Sequence, residues 1–165
     1  MLLYLMRHGI AIDREDPKCP ADAERDLTKK GMEKTRAVAL GLRALGIQPE
    51  AMLTSPFVRA VQTAEITAAA LGFARDKIRQ TDSLIFGHKP VELFRELAKV
   101  RAKEVMCFGH APHLDEVIAF ALGCRASVTS LKKAGVACLE LKGMAPPRGT
   151  LLWLCTPRTL RALGE

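Results

Sequence analysis

The residues of this chain best suited to chemistry are Arg7 and His8 near its start, Arg25 and Arg59 further on, and His110. A neutral imidazole is a nucleophile or proton carrier. A guanidinium is a permanently charged planar fork that meets an oxyanion through paired hydrogen bonds. Arginines and histidines gathered in one place repel each other, so a cluster of them calls for an anion to offset the charge. A phosphoryl group meets that need with a few well-placed cations. Phosphoryl transfer is largely positioning and charge stabilisation, so such a cluster can carry it without a metal ion.

Whether these residues cluster depends on the elements that hold them. LLYLM (residues 2–6) reads as a buried strand running into Arg7-His8-Gly9. TKKGMEKTRAVALGLRALG reads as a helix, with Thr28 as N-cap, Val38, Leu42 and Leu45 along one face, and Gly46 as its stop. AMLTSP (residues 51–56) is a second strand, and FVRAVQTAEITAAALG is a helix that carries Arg59 in its first turn. IRQTDSLI is a weaker strand and VELFRELAKVRAK an amphipathic helix. EVMCFG (residues 104–109) is a third buried strand, and HLDEVIAFALG places Leu114, Val117, Ile118, Ala121 and Leu122 at helical spacing. Two late strands, GVACLELKG and GTLLWLC, flank a turn whose prolines exclude a helix.

Strand–helix alternation predicts an α/β fold: three layers, α/β/α, around a mostly parallel sheet with LLYL as its central strand. No linker, repeat or low-complexity stretch divides the chain, so residues 1–165 read as a single domain. In open α/β sheets the ligand lies beyond the carboxyl ends of the strands. Three such ends deliver Arg7-His8, Ser55 with Arg59, and Gly109-His110 to one edge. Taken singly, each has an ordinary explanation: a solvated strand end, an arginine lying over apolar surface, a histidine at a helix start. Together they have no structural purpose without an anion. Gly9 and Gly109 remove side chains where backbone turns tightly or approaches a ligand. The helix N-termini at FVRAVQ and HLDEV would aim N–H groups at the same place.

M-R-H-G, S-P-F-x-R-A-x-Q-T and G-H-x-P-H-L, in this order, resemble the histidine phosphatase superfamily with its phosphoglycerate-mutase-like fold. R-D-L-T-x-x-G at residues 25–31 resembles in particular its small bacterial phosphohistidine phosphatases. The resemblance runs over essentially the whole chain. It implies that His8 is the nucleophile and is transiently phosphorylated. It implies also that Arg7 and Arg59 clamp the phosphoryl oxygens, that His110 donates to them, and that Arg25 reaches in from the loop, with Gly9 beside the bound group. No cofactor and no metal are expected. Larger relatives carry a general acid after the second helix. Here that stretch reads DSLIFGHKP, with His88 and no acid where one is looked for, and Asp82 at its start reads as a strand end. Imidazole leaves more easily than an alkoxide and needs less help from an acid. The implied substrate is therefore a phosphorylated protein carrying phosphohistidine. A small phosphate ester, or non-catalytic phosphate recognition, stands as the alternative.

The remaining features narrow the classes. His110 and His113 stand at a spacing that suits a metal on a helix, but a cation beside Arg7 and Arg59 would be repelled, and no third ligand is in view. His113 reads as lining the mouth of the site or capping the helix that follows. The net charge of +7 is spread along the chain without a block or interleaved aromatics, so no nucleic-acid partner is expected. No apolar run is long enough to span a membrane, and no export signal is evident. The five cysteines form no C-x-x-C pair and read as reduced thiols. A cytoplasmic monomer is the expectation.

Overall fold

The apolar run at the start forms strand β1 (Leu2–Arg7), in a computed structural model that describes residues 1–164. Leu3 and Leu5 point to one face and Tyr4 and Met6 to the other, and all four are buried, as in a strand covered on both sides. Helix α1 (Lys29–Ala44) begins where the Thr28 hydroxyl accepts from the Gly31 N–H at 3.0 Å. It stops before Gly46, whose φ of 73° suits glycine. Strand β2 (Ala51–Thr54) and helix α2 (Val58–Leu71) follow as the sequence predicts, with Gly72 in the left-handed region at the helix end.

The weaker strand shrinks to β3 (Arg79–Gln80), both residues exposed at the sheet edge. The Thr81 hydroxyl then accepts from the Ser83 N–H and folds Asp82–Leu84 into a 3-10 turn, so the chain leaves the sheet early. Helix α3 (Pro90–Leu97), strand β4 (Glu104–Gly109) and helix α4 (His113–Leu122) complete the alternating part. Strands β5 (Val136–Met144) and β6 (Pro147–Cys155) form the late hairpin, with β6 two residues longer than the sequence predicts. A last helix, α5 (Pro157–Leu163), is not legible as periodicity. It starts at Thr156, which accepts from the Thr159 N–H, and places Pro157 at the first helical position.

The six-stranded sheet runs β3-β2-β4-β1-β5-β6. Pairings from β3 to β1 are parallel and those from β1 to β6 antiparallel, so β1 is an inner strand at the boundary of the two regimes. Helices α1, α2 and α5 cover one face, where Val38, Leu42, Ala64, Ala68 and Leu160 meet Tyr4, Met6 and Met52. Helices α3 and α4 cover the other, where Leu93, Phe94, Leu114 and Val117 meet Leu3, Leu5 and Leu53. Leaving β1 the chain moves through α1 toward β2; leaving β4 it moves through α4 toward β5, the opposite way. That divergence opens a crevice at the carboxyl ends of β1 and β4. Among the described residues, no helix is long and apolar enough to cross a membrane.

Candidate active site

His8 leaves the end of β1, Ser55 the end of β2 and His110 the end of β4, and the parallel register puts all three on one edge. Arg59 comes from the first turn of α2. His8, Arg59 and His110 are almost wholly withdrawn from solvent, at 6%, 1% and 2% exposed.

The tautomer of His8 follows from its partners. Nδ1 lies 2.7 Å from the Gly9 carbonyl oxygen, which only accepts, so Nδ1 carries the proton. Nε2 therefore holds a lone pair, and the Arg59 Nε donates to it at 3.3 Å. Burial pushes the His8 pKa down to about 3, and the guanidiniums of Arg59 and Arg7 and the ammonium of Lys133 add to that against the opposing Gly9 bond. Burial likewise lowers His110 to about 3, with His8 and Arg59 contributing. Both imidazoles are neutral near pH 7. Ser55 Oγ lies 2.8 Å from His110 Nε2, and the buried Nδ1 of that ring has no partner among the described residues. The rings of Phe57 and Phe86 stand edge-on to His110, at centroid distances of 5.1 and 5.8 Å.

All three expected arginines meet a cavity of about 380 Å³ lined also by His8, His110, Lys133 and Phe86. They are differently engaged. Arg7 donates through Nη1 to the Leu131 carbonyl at 2.8 Å, while its buried Nε has no partner among the described residues. Arg59 directs Nη1 at the Asp22 carbonyl and Nη2 at the Asp22 carboxylate. Arg25 holds Asp22 through Nε at 3.0 Å and Nη2 at 2.9 Å, and the Ile12 carbonyl through Nη1 at 2.7 Å. Arg25 thus lines the cavity with its fork engaged by its own loop.

Asp22 is the site residue that the sequence does not reveal. It joins Arg14, Arg25 and Arg59 in one ion-pair cluster. Burial opposes its ionisation, but Arg59 and the hydrogen bonds from Arg14 and Arg59 outweigh that and hold its carboxyl below the usual range. The long loop also brings Asp13 and Glu15 to the cavity wall. Carboxylates are therefore present at the site, though none of them comes from the DSLIFGHKP stretch.

Several expectations need correction. Gly9 does not line the cavity: its N–H is taken by the Thr63 hydroxyl at 3.0 Å, and its missing side chain makes room for Thr35 and Leu27. His113 neither lines the mouth nor caps α4. It is fully buried, and its Nε2 lies 2.9 Å from the Ser83 carbonyl, pinning the turn after β3. His88 pairs with Glu92 on α3, and neither His88 nor Asp82 lines the cavity.

The geometry defines a cation-lined pocket around a neutral, oriented histidine at the switch point of an α/β sheet. A family model described as the histidine phosphatase superfamily (branch 1) matches residues 3–85. The chain belongs to that superfamily, and its fold is that of a phosphatase. It is 42% identical over 139 residues to an uncharacterized protein of Picosynechococcus sp., covering 82% of each chain. Over 66 residues, 39% of this chain and 38% of the other, it is 38% identical to the phosphohistidine phosphatase SixA of Escherichia coli. The fold is similar to that of the protein histidine phosphatase SixA complexed with tungstate, with a TM-score of 0.85 and 24% identity over 97% of this chain and 99% of that one.

Proposed function

We propose that the chain removes the phosphoryl group from phosphohistidine in proteins through a covalent intermediate on His8 Nε2. The observation that carries this reading is the pinned tautomer, with Nδ1–H on the Gly9 carbonyl and the Nε2 lone pair beside Arg59. An imidazole held in this way is a competent phosphoryl acceptor across the physiological pH range. Nε2 attacks phosphorus as the bond to the substrate imidazole breaks, and the departing nitrogen takes up a proton. Water then attacks the phosphoryl group on His8, releasing inorganic phosphate and restoring the starting tautomer. The Arg59 Nε contact with Nε2 is long for a hydrogen bond and yields readily, freeing that N–H for a phosphoryl oxygen. Arg7, with its Nε unpartnered, and the His110 Nδ1 are the other groups able to meet those oxygens. The partial likeness to a phosphohistidine phosphatase supports this choice of substrate.

A second reading, hydrolysis of small phosphate esters, draws on Asp13 and Glu15, carboxyl groups at the cavity wall of the kind that serves an alkoxide leaving group as general acid. Phosphate release is to be measured from a histidine-phosphorylated carrier protein and from an aryl phosphate, with no metal added, for wild type and His8→Ala. Fast turnover of the carrier, slow turnover of the ester and a loss of roughly a thousandfold or more in the variant are expected. Preference for the ester would favour the second reading. Phosphate binding without turnover of either would mean a recognition module.

A further inference from the structure

A second cavity, of about 560 Å³, opens beside the phosphoryl pocket and shares Arg7 and Lys133 with it. Its other charged lining residues are Lys34 of α1, Lys132 of the segment before β5, and Arg158 and Arg161 of α5. Among the described residues no Asp or Glu lines it, whereas the phosphoryl pocket carries Asp13 and Glu15. Lys132, Lys133 and Arg158 are exposed and Lys34 and Arg161 half-buried, and among the described residues none of the five forms an ion pair with a carboxylate.

Three separate pieces of chain thus place like charges along one groove, at a cost in mutual repulsion that an anionic partner would relieve. We infer that this groove is a docking surface for an acidic segment of the substrate protein, lying next to the phosphohistidine that enters the pocket. This rests on the reading of the substrate as a phosphoprotein. A phosphohistidine carried on a protein brings its neighbouring surface against the rim of the pocket, where the groove offers cations that no carboxylate of the described residues pairs with. It has no aromatic side chain on which a base would stack, so a single-stranded nucleic acid fits it less well. The groove is also larger than the phosphoryl pocket and spans three elements, which matches a run of carboxylates better than one small anion.

The test uses the triple variant Lys34→Glu, Arg158→Glu and Arg161→Glu, and a charge-conserving triple Lys34→Arg, Arg158→Lys and Arg161→Lys. Binding of a fluorescein-labelled oligoglutamate peptide is followed by anisotropy at low and high salt. Turnover is followed with an aryl phosphate and with a histidine-phosphorylated carrier whose phosphohistidine is flanked by carboxylates. Charge reversal is expected to weaken the peptide, and to raise KM for the carrier, by roughly tenfold or more, an effect that shrinks with salt. Aryl phosphate turnover and kcat for the carrier stay near wild type, and the conserving triple behaves as wild type. Unchanged peptide binding in a reversal variant that still hydrolyses the aryl phosphate would overturn the inference. So would an oligonucleotide of equal charge that binds more tightly than the peptide and is lost in the same variant. Should wild type leave phosphohistidine proteins untouched, the proposed substrate fails, while the peptide arm still decides whether the groove binds acidic chains.

Discussion

Arg59 holds Asp22 at two points, its Nη1 on the backbone carbonyl and its Nη2 on the carboxylate at 3.2 Å, while its Nε reaches His8. All three nitrogens of the most deeply buried arginine are thus engaged within the protein. Both terminal nitrogens of the guanidinium are taken up by Asp22. A phosphoryl oxygen that used either of them would have to displace an internal partner.

Asp22→Asn keeps the shape of the side chain and removes its charge. Inorganic phosphate is then expected to inhibit more strongly, by about fivefold, the effect of roughly 1 kcal/mol typical of a partly exposed ion pair. The competitive inhibition constant against an aryl phosphate checks this. Weaker inhibition would mean that Asp22 chiefly holds Arg59 in place and does not rival the substrate.

The buried histidines make stability fall toward acid. The folded-state values of His8 and His110, each about 3, lie below the ordinary imidazole value near 6.5. As pH falls through that window the unfolded chain takes up protons that the folded chain refuses, so folding weakens. The slope is about 1.4 kcal/mol per pH unit for each histidine, fully absent above the unfolded value. Denaturation midpoints between about pH 7 and 5, above most carboxylate titration, report it. His110→Asn is expected to lower that slope by about one proton's worth; an unchanged slope would show that His110 titrates normally in the fold.

These relations were unequally visible in the amino-acid order. His8, Ser55 and His110 could be placed on one edge because each follows an apolar run ending in a turn, and a parallel sheet brings such ends together. Asp22 had no such signal. It sits in an irregular loop, and its partner Arg59 lies on α2, so only the folded path of the loop unites them. Gly9 read as a ligand-facing glycine, but its N–H answers to Thr63, one helical turn beyond Arg59 on the same helix. Helix α5 leaves no pattern in the sequence because a short helix with one fully buried residue, Leu160, has too little periodicity to read.

Arg7 is positioned through a relay that starts at Asp115. The Asp115 carboxylate accepts from the Leu131 N–H at 3.0 Å and the Thr129 hydroxyl at 2.7 Å, and the Leu131 carbonyl accepts from Arg7 at 2.8 Å. Asp115→Ala is expected to cost about 1–3 kcal/mol of stability by leaving the Leu131 N–H unsatisfied. It is also expected to lower kcat/KM roughly tenfold as Arg7 loses its fixed direction. Asp115→Asn keeps an acceptor and recovers most of both. Thermal denaturation with steady-state kinetics separates the two effects, and loss of stability with unaltered kinetics would confine Asp115 to the scaffold.

Gly41 links the scaffold to the basic groove. Helices α1 and α5 touch where Gly41 has no side chain, and a Cβ added there would collide with the Leu160 carbonyl. Gly41→Ala therefore lifts α5 from α1, at an expected cost of about 1–3 kcal/mol. Arg158 and Arg161 move with that helix, whereas no residue of α5 lines the phosphoryl pocket. The variant is expected to bind oligoglutamate several-fold more weakly, in keeping with the loss of rim charges, while hydrolysing an aryl phosphate at close to the wild-type rate. Peptide anisotropy and ester turnover on one preparation distinguish the two sites. Intact peptide binding with impaired turnover would place the influence of α5 on the catalytic pocket instead.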